Sequence, residues 1–289
     1  MRTLAELLAN GLLLGGIYAL MACGLNLIFG VMRVINFAHG EFLAFGALLG
    51  VSLVIGHGVP FLVALVLVAA AMGVFGYLLQ AALIERVVDG PPIMSLLLTY
   101  SVSTVLVNAG ILIWGGGYRG MPGVFSGSVP VLGMNLSQAR LVAFAIALGL
   151  TGLVYVFLAR SMLGKAIRAV SELPEIATVS GIAAARIRYL TFGLGGMMAG
   201  AAGVLLAPMF ASDPQMGARF VIKAFTVIIV GGMGSYFGAL VGALLIGIVE
   251  VTGGYVLGQT FGTAILYVLM IGFLLFKPSG LFGVRAVAR

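Results

Sequence analysis

Charged residues are so sparse along this chain that the apolar gaps between them divide it into elements. A membrane span needs about 20 consecutive apolar residues. Leu7 to Met32 carries no charge and predicts the first span. Between Glu41 and Glu85 only His57 interrupts, in the turn His57-Gly58-Val59-Pro60, so that stretch must hold two spans. The downstream one runs from about Phe61 to Ile84. The upstream piece, Phe42 to Gly56, is too short alone. It reaches full length only by including Ile35-Asn36-Phe37-Ala38-His39-Gly40-Glu41. Those polar residues are therefore expected inside the membrane or at its very edge.

Ile93 to Trp114 predicts a fourth span, with Trp114 and Tyr118 as interfacial aromatics. Residues 115–139, rich in Gly, Pro and Ser, read as a long loop. Leu141 to Ala159 is a fifth span, followed by a basic loop, 160–188, carrying Arg160, Lys165, Arg168, Arg186 and Arg188. Tyr189 to Met209 is the sixth. The uncharged run between Lys223 and Glu250, broken by Gly231-Gly232-Met233-Gly234-Ser235, is the seventh block, and Val256 to Phe276 the eighth, stopped at Lys277-Pro278. The expected fold class is all-α. It is a polytopic integral membrane bundle of eight hydrophobic blocks and eight to ten transmembrane helices, broken near 36–41 and 231–235, with 1–289 as a single transmembrane domain.

Composition excludes a soluble domain. Of the 289 residues 62% are hydrophobic and 8% charged, with a mean hydropathy of +1.23, where a soluble domain carries roughly 25% charged residues. The formal charge of +7 does not point to nucleic acid here, because Lys and Arg gather in the cytoplasmic loops of membrane proteins. The single cysteine, Cys23, excludes an internal disulfide. With only two histidines far apart, no metal ligand set is expected. Gly recurs at four-residue spacing in Gly11/Gly15, Gly46/Gly50, Gly196/Gly200 and Gly238/Gly242, which suits close helix approach in lipid.

The basic residues also test orientation. With 160–188 cytoplasmic and every block crossing once, they divide 7 inside to 8 outside. If the Gly-rich break makes block seven a hairpin, Lys277, Arg285 and Arg289 move inside and the division becomes 10 to 5. The hairpin is the better reading. Its helix after the break, Phe237-Gly238-Ala239-Leu240-Val241-Gly242, resembles Phe45-Gly46-Ala47-Leu48-Leu49-Gly50. Paired interruptions of this kind point to a transport site near the midplane, with chance similarity as the rival.

Candidate chemistry is concentrated in two places. Asn36, His39 and Glu41 form the only cluster of hydrogen-bonding and ionisable groups in a span, and such groups usually line a pathway or pair with each other; Phe37 and Gly40 between them are expected on the same path. Gly231, Gly232, Gly234 and Ser235 are expected opposite them. The bland alternative is an interhelical turn with Asn36 as the N-cap of the second span. In the basic loop, Pro174, Glu175 and Gly181 suit a short helix. Ala169, Ala177 and Gly181 present little bulk to a docking protein. An ordinary orienting loop is equally consistent. Lys223 and Glu250 bracket block seven and could mark an ion path, but their positions near its ends favour snorkelling. There is no G-x-x-x-x-G-K-[ST] loop, so the chain does not spend ATP through that motif. Nor is there an acid-rich intramembrane relay.

The stretch Gly15-Gly16-Ile17-Tyr18-Ala19-Leu20 through Gly24-Leu25-Asn26-Leu27-Ile28-Phe29-Gly30-Val31-Met32-Arg33-Val34-Ile35-Asn36-Phe37-Ala38-His39-Gly40-Glu41 resembles the branched-chain amino-acid ABC-transporter permease family. So do Lys223-Ala224-Phe225, Gly231-Gly232-Met233-Gly234-Ser235 and Phe276-Lys277-Pro278-Ser279-Gly280-Leu281-Phe282-Gly283. The resemblance implies a multi-pass subunit of the bacterial inner membrane with no cofactor and no enzymatic activity of its own. Its partners would be a second permease, two cytoplasmic ATP-binding subunits that use the ATP, and a periplasmic or extracellular solute-binding protein. Gly164 to Ile182 would be the ATPase-coupling segment, with Gly164, Ala169, Glu172, Pro174, Glu175, Ala177 and Gly181 at the contact. Glu172-Leu173-Pro174-Glu175 departs from the amide-rich sequence usual before that proline, and the loop Glu85–Pro92 is short. The expected substrate is a branched-chain or other hydrophobic amino acid. A stand-alone channel or ion-coupled carrier for a small polar solute is the competing reading.

Overall fold

The computed structural model of the chain describes residues 2–131 and 133–283; Arg285 and Arg289, two charges in the orientation count, lie outside the described residues. The chain forms α1 (Arg2–Met32), α2 (His39–Val51), α3 (Phe61–Ala82), α4 (Pro92–Trp114), the strands β1 (Ser128–Val131) and β2 (Met134–Ser137), α5 (Gln138–Arg160), α6 (Met162–Glu172), α7 (Pro174–Val179), α8 (Ala184–Leu206), α9 (Met216–Gly231), α10 (Tyr236–Leu257) and α11 (Gln259–Phe276). Seven helices among the described residues are long and apolar enough to cross a bilayer. α9, with 16 residues, spans about 24 Å, and α11 is also short.

Among the described residues the eight blocks correspond to nine helices, seven of them of span length, because the seventh block divides at Gly231–Ser235 as the charge count favoured. The boundary of the eighth block moves too. Val256 and Leu257 finish α10, and the chain turns on Gly258 alone (φ 95°), a left-handed residue that only glycine adopts freely. Two expectations of loop structure are corrected. Residues 160–188 are mostly helical, and Arg186 and Arg188 belong to α8. The segment 115–139 contains the antiparallel pair β1–β2, so the fold is a helical bundle with one small hairpin rather than strictly all-α.

α1 and α8 are the centre of the bundle. Their most apolar windows are 83% and 78% buried, against 17% for α4. α8 can be central because small residues let its neighbours approach: Gly193 lies on the backbone of Gly73, Gly195 on Gly24, and Gly200 on the backbone of α2 at Gly46. Gly11 and Gly15 seat α1 against α10 at Ile248, Ala243 and Leu244. All four glycine pairs picked out by spacing thus lie at helix contacts. The outward faces of α3, α4, α5 and α11 expose Leu62, Val66, Leu112, Leu153 and Leu275, an apolar belt for lipid tails.

One end of the bundle is basic. Ser171 on α6 donates to the Gly30 carbonyl near the end of α1 (2.7 Å). Arg188 on α8 grips Glu85 at the α3–α4 turn. The segment after α11 returns to the α9 terminus, where Leu281 and Phe282 amides donate to Val230 and Gly231 (2.8 and 3.0 Å). Arg33, Arg86, Lys165, Arg168 and Lys277 are carried at this same end. At the opposite end, Arg119 and Ser212 exchange backbone hydrogen bonds (2.8 and 2.6 Å), tying the 115–127 loop to the turn before α9.

Candidate functional site

α1 stops at Arg33 (φ 54°), a left-handed turn with no glycine that costs roughly 1–2 kcal/mol. The chain then runs back into the bundle as a non-helical arm, Arg33–Ala38. The break is thus 33–38, and His39, Gly40 and Glu41 form the first turn of α2. One α4 hydroxyl holds the arm: Thr99 Oγ1 donates to the Ile35 carbonyl (3.0 Å) and accepts from the Phe37 amide (3.3 Å). The N-cap of α2 is Ala38, with no side-chain cap bond. Asn36 is therefore not the capping residue.

The arm ends deep in the protein. His39 Nε2 donates to the Met21 carbonyl (3.0 Å); a carbonyl only accepts, so Nε2 carries the proton. Met21 lies eleven residues before the end of α1, about 16 Å from it, which is mid-depth in a hydrocarbon layer of roughly 30 Å. Asn36, His39 and Glu41 are all fully buried. Among the described residues, both Asn36 side-chain polar atoms, His39 Nδ1 and Glu41 Oε2 have no hydrogen-bond partner. Glu41 Oε1 accepts from Ser103 Oγ on α4 (3.0 Å). Gly40 and Gly217 bring α2 and α9 into backbone contact, and a Cβ on either would overlap the other helix. Phe37 is half-buried, with its ring 5.5 Å from Phe225 and 6.4 Å from Tyr100.

The second break sits elsewhere. Asn26 Oδ1 accepts from the Gly234 amide and its Nδ2 donates to the Ser235 carbonyl, both at 2.7 Å. Ser235 Oγ caps α10 through the Gly238 amide (3.1 Å). Gly231 is buried against Gly238 and Ala239, and Gly232 beneath Gly280 and Gly283. On α1, Asn26 is five residues nearer the basic end than Met21, about 7 Å. The two breaks therefore do not face each other at one depth. The local likeness after them is not a structural equivalence either, since Gly46 packs on α8 and Gly238 on its own preceding helix, α9.

Residues 7–275 match the model of a family described as the branched-chain amino acid transport system / permease component. The chain is 32% identical over 96% of its length, and 94% of the relative's, to the high-affinity branched-chain amino acid transport system permease protein BraD of Pseudomonas aeruginosa. Identity to the LivH permease protein of Escherichia coli is 30%, covering 95% of this chain and 94% of that one. The chain belongs to this permease family. A solved structure, PsaBC from Streptococcus pneumoniae in complex with Fab, shares the fold at a TM-score of 0.53 and 13% identity, covering 95% and 93% of the two chains.

In this permease the expected coupling segment divides into two surfaces. Ser161 caps α6 by accepting from the Gly164 amide (2.9 Å). Gly164 and Ala177 are buried, the former against the backbone at Leu158. Ala169 is half-buried. Glu172, Pro174, Glu175 and Gly181 are exposed, together with Leu173, Ile176 and Val179, the last 90% exposed. Pro174 opens α7 at its first position, and Gly181 (φ 85°) ends the turn after it. Sequence reading missed those three apolar residues, Asn26 and Ser171. The three-residue spacing of Leu173, Ile176 and Val179 on an otherwise polar tip was the one available signal, and it marked only those three.

Lys223 and Glu250 do not snorkel. They pair at 2.6 Å with side chains only 13% and 15% exposed, and Tyr18 of α1 donates to the other Glu250 oxygen (2.9 Å). Sequence could not pair two residues whose helices run antiparallel around a turn it had only just located.

Proposed function

We propose that this permease is the membrane-spanning subunit of an ATP-driven importer for branched-chain or other apolar amino acids in a bacterial cytoplasmic membrane. It would work with a second permease, two ATPases on the basic, cytoplasmic side, and an external solute-binding protein. The excess of Lys and Arg at the α6–α7 end supports that orientation. What the named relatives transport supports the substrate class.

The observation that carries the mechanism is the arm. Phe37, Asn36 and Glu41 belong to a non-helical stretch and helix start at mid-depth, a conformation tolerated in a membrane only inside protein or beside a cavity. In this reading Phe37, next to Asn36 in the chain, and the Tyr100 and Phe225 rings packed against it form an aromatic plug. The seat of α6 on α1, Ser171 to Gly30, lies seven residues before Phe37. A push on α6–α7 from an ATPase is thereby delivered to the root of the arm. Displacing the arm moves the plug and opens the polar groups to solute.

Uptake of radiolabelled leucine, isoleucine and valine by the complete transporter, competed with a panel of other solutes, tests the substrate class. Competition by apolar amino acids alone is the expected result; no saturable uptake of leucine, isoleucine or valine would reassign the substrate.

A further inference from the structure

A cavity of about 480 Å³ opens at the end opposite the basic one, between α1, α9, α10 and α11. Ligand sites commonly measure about 300–1,000 Å³. At its wall lie both members of the Lys223–Glu250 pair, with Arg140 and Arg219. The Arg219 charge is met by Asp213, whereas among the described residues Arg140 bonds only the neutral amide oxygen of Asn10 (2.7 Å). The cavity thus presents one carboxylate and two cations not answered elsewhere. Phe220, Val251 and Met216 supply an apolar wall beside them.

The ion pair is built so that it can part. Lys223 Nζ lies 5.4 Å from the Tyr18 ring centre and 5.1 Å from that of Phe220, contacts that hold an ammonium without a carboxylate. Glu250 keeps the Tyr18 hydroxyl when Lys223 turns away. Replacing a buried pair by apolar residues is often neutral or stabilising, so packing alone gives no reason to keep these charges beside open space.

We infer that this cavity is a subsite for a zwitterionic amino acid, with Glu250 receiving the α-ammonium, Lys223 and Arg140 the α-carboxylate, and the Phe220–Val251 wall the apolar side chain. The inference rests on the amino-acid importer reading and places the first contact of released solute at the external end.

The test uses the complete transporter in proteoliposomes with Ala211→Cys in this chain. Ala211 is exposed and lines the cavity, while the natural Cys23 is fully buried. The rate of modification by a membrane-impermeant thiol reagent is read with three probes of one carbon skeleton: leucine, the 2-oxo acid lacking its ammonium, and the amine lacking its carboxylate. Leucine at ten times its dissociation constant slows the reaction about tenfold, the other two do not, and Glu250→Gln removes the protection. Leucine uptake without protection, equal protection by all three probes, or protection that survives Glu250→Gln each overturns the subsite. If the complete transporter takes up no apolar amino acid, the importer reading falls and the subsite falls with it.

Discussion

Asn36 holds a primary amide at zero exposure with neither polar atom bonded. An unsatisfied buried group of this kind costs about 1–3 kcal/mol, and an apolar residue of similar volume would avoid that cost. Asn36→Leu is therefore predicted to leave the solubilised protein as stable or more stable by about 1 kcal/mol, seen as an unchanged or higher melting temperature. Uptake by the complete transporter should fall about tenfold or more, equivalent to about 1.4 kcal/mol of lost function. Normal uptake by this variant would make Asn36 a passive part of the arm. The polar cluster was legible from span length alone, because Phe42–Gly56 cannot cross without it. The role of Asn26 was not. Its partners Gly234 and Ser235 lie more than 200 residues away, and a lone amide in an apolar run carries no mark of what it bonds.

Among the elements, α7 separates inner from outer residues within a single turn. Ile176 is 59% exposed and Ala177 4%. Ile176→Asp should change the stability of the permease by no more than about 0.5 kcal/mol yet abolish co-purification of the ATPases. Ala177→Asp buries a charge and should instead lower the melting temperature of the permease itself. If Ile176→Asp leaves ATPase association intact, the docking tip is elsewhere. Ser171→Ala removes the bond from α6 to Gly30, for which a net loss of about 0.5–1.5 kcal/mol is expected. It should uncouple ATP hydrolysis from uptake while ATPase docking persists; unchanged coupling would show that α6 acts through another contact. Counting apolar residues located the helices well but placed the restart of α2 too late, since His39–Glu41 are polar and still helical. It also passed over β1–β2, whose four-residue strands include Pro130 and follow a run of Gly.

At the scale of the whole molecule, hairpin α9–α10 sets the orientation, because it returns the C-terminal segment to the same end as α6–α7. Ser180 and Ser128 are exposed at opposite ends. In intact cells, Ser128→Cys should react with an impermeant thiol reagent, and Ser180→Cys should react only after the membrane is opened. The reverse pattern would invert the bundle. The central claim is that the arm is moved by subunits this chain does not contain. Its most direct measurement is leucine accumulation in proteoliposomes holding either this permease alone or the complete set of two permeases, two ATPases and loaded binding protein. The account predicts no accumulation by the lone protein under a proton or sodium gradient, and ATP-dependent accumulation by the complete set. Gradient-driven accumulation by the lone protein would contradict it.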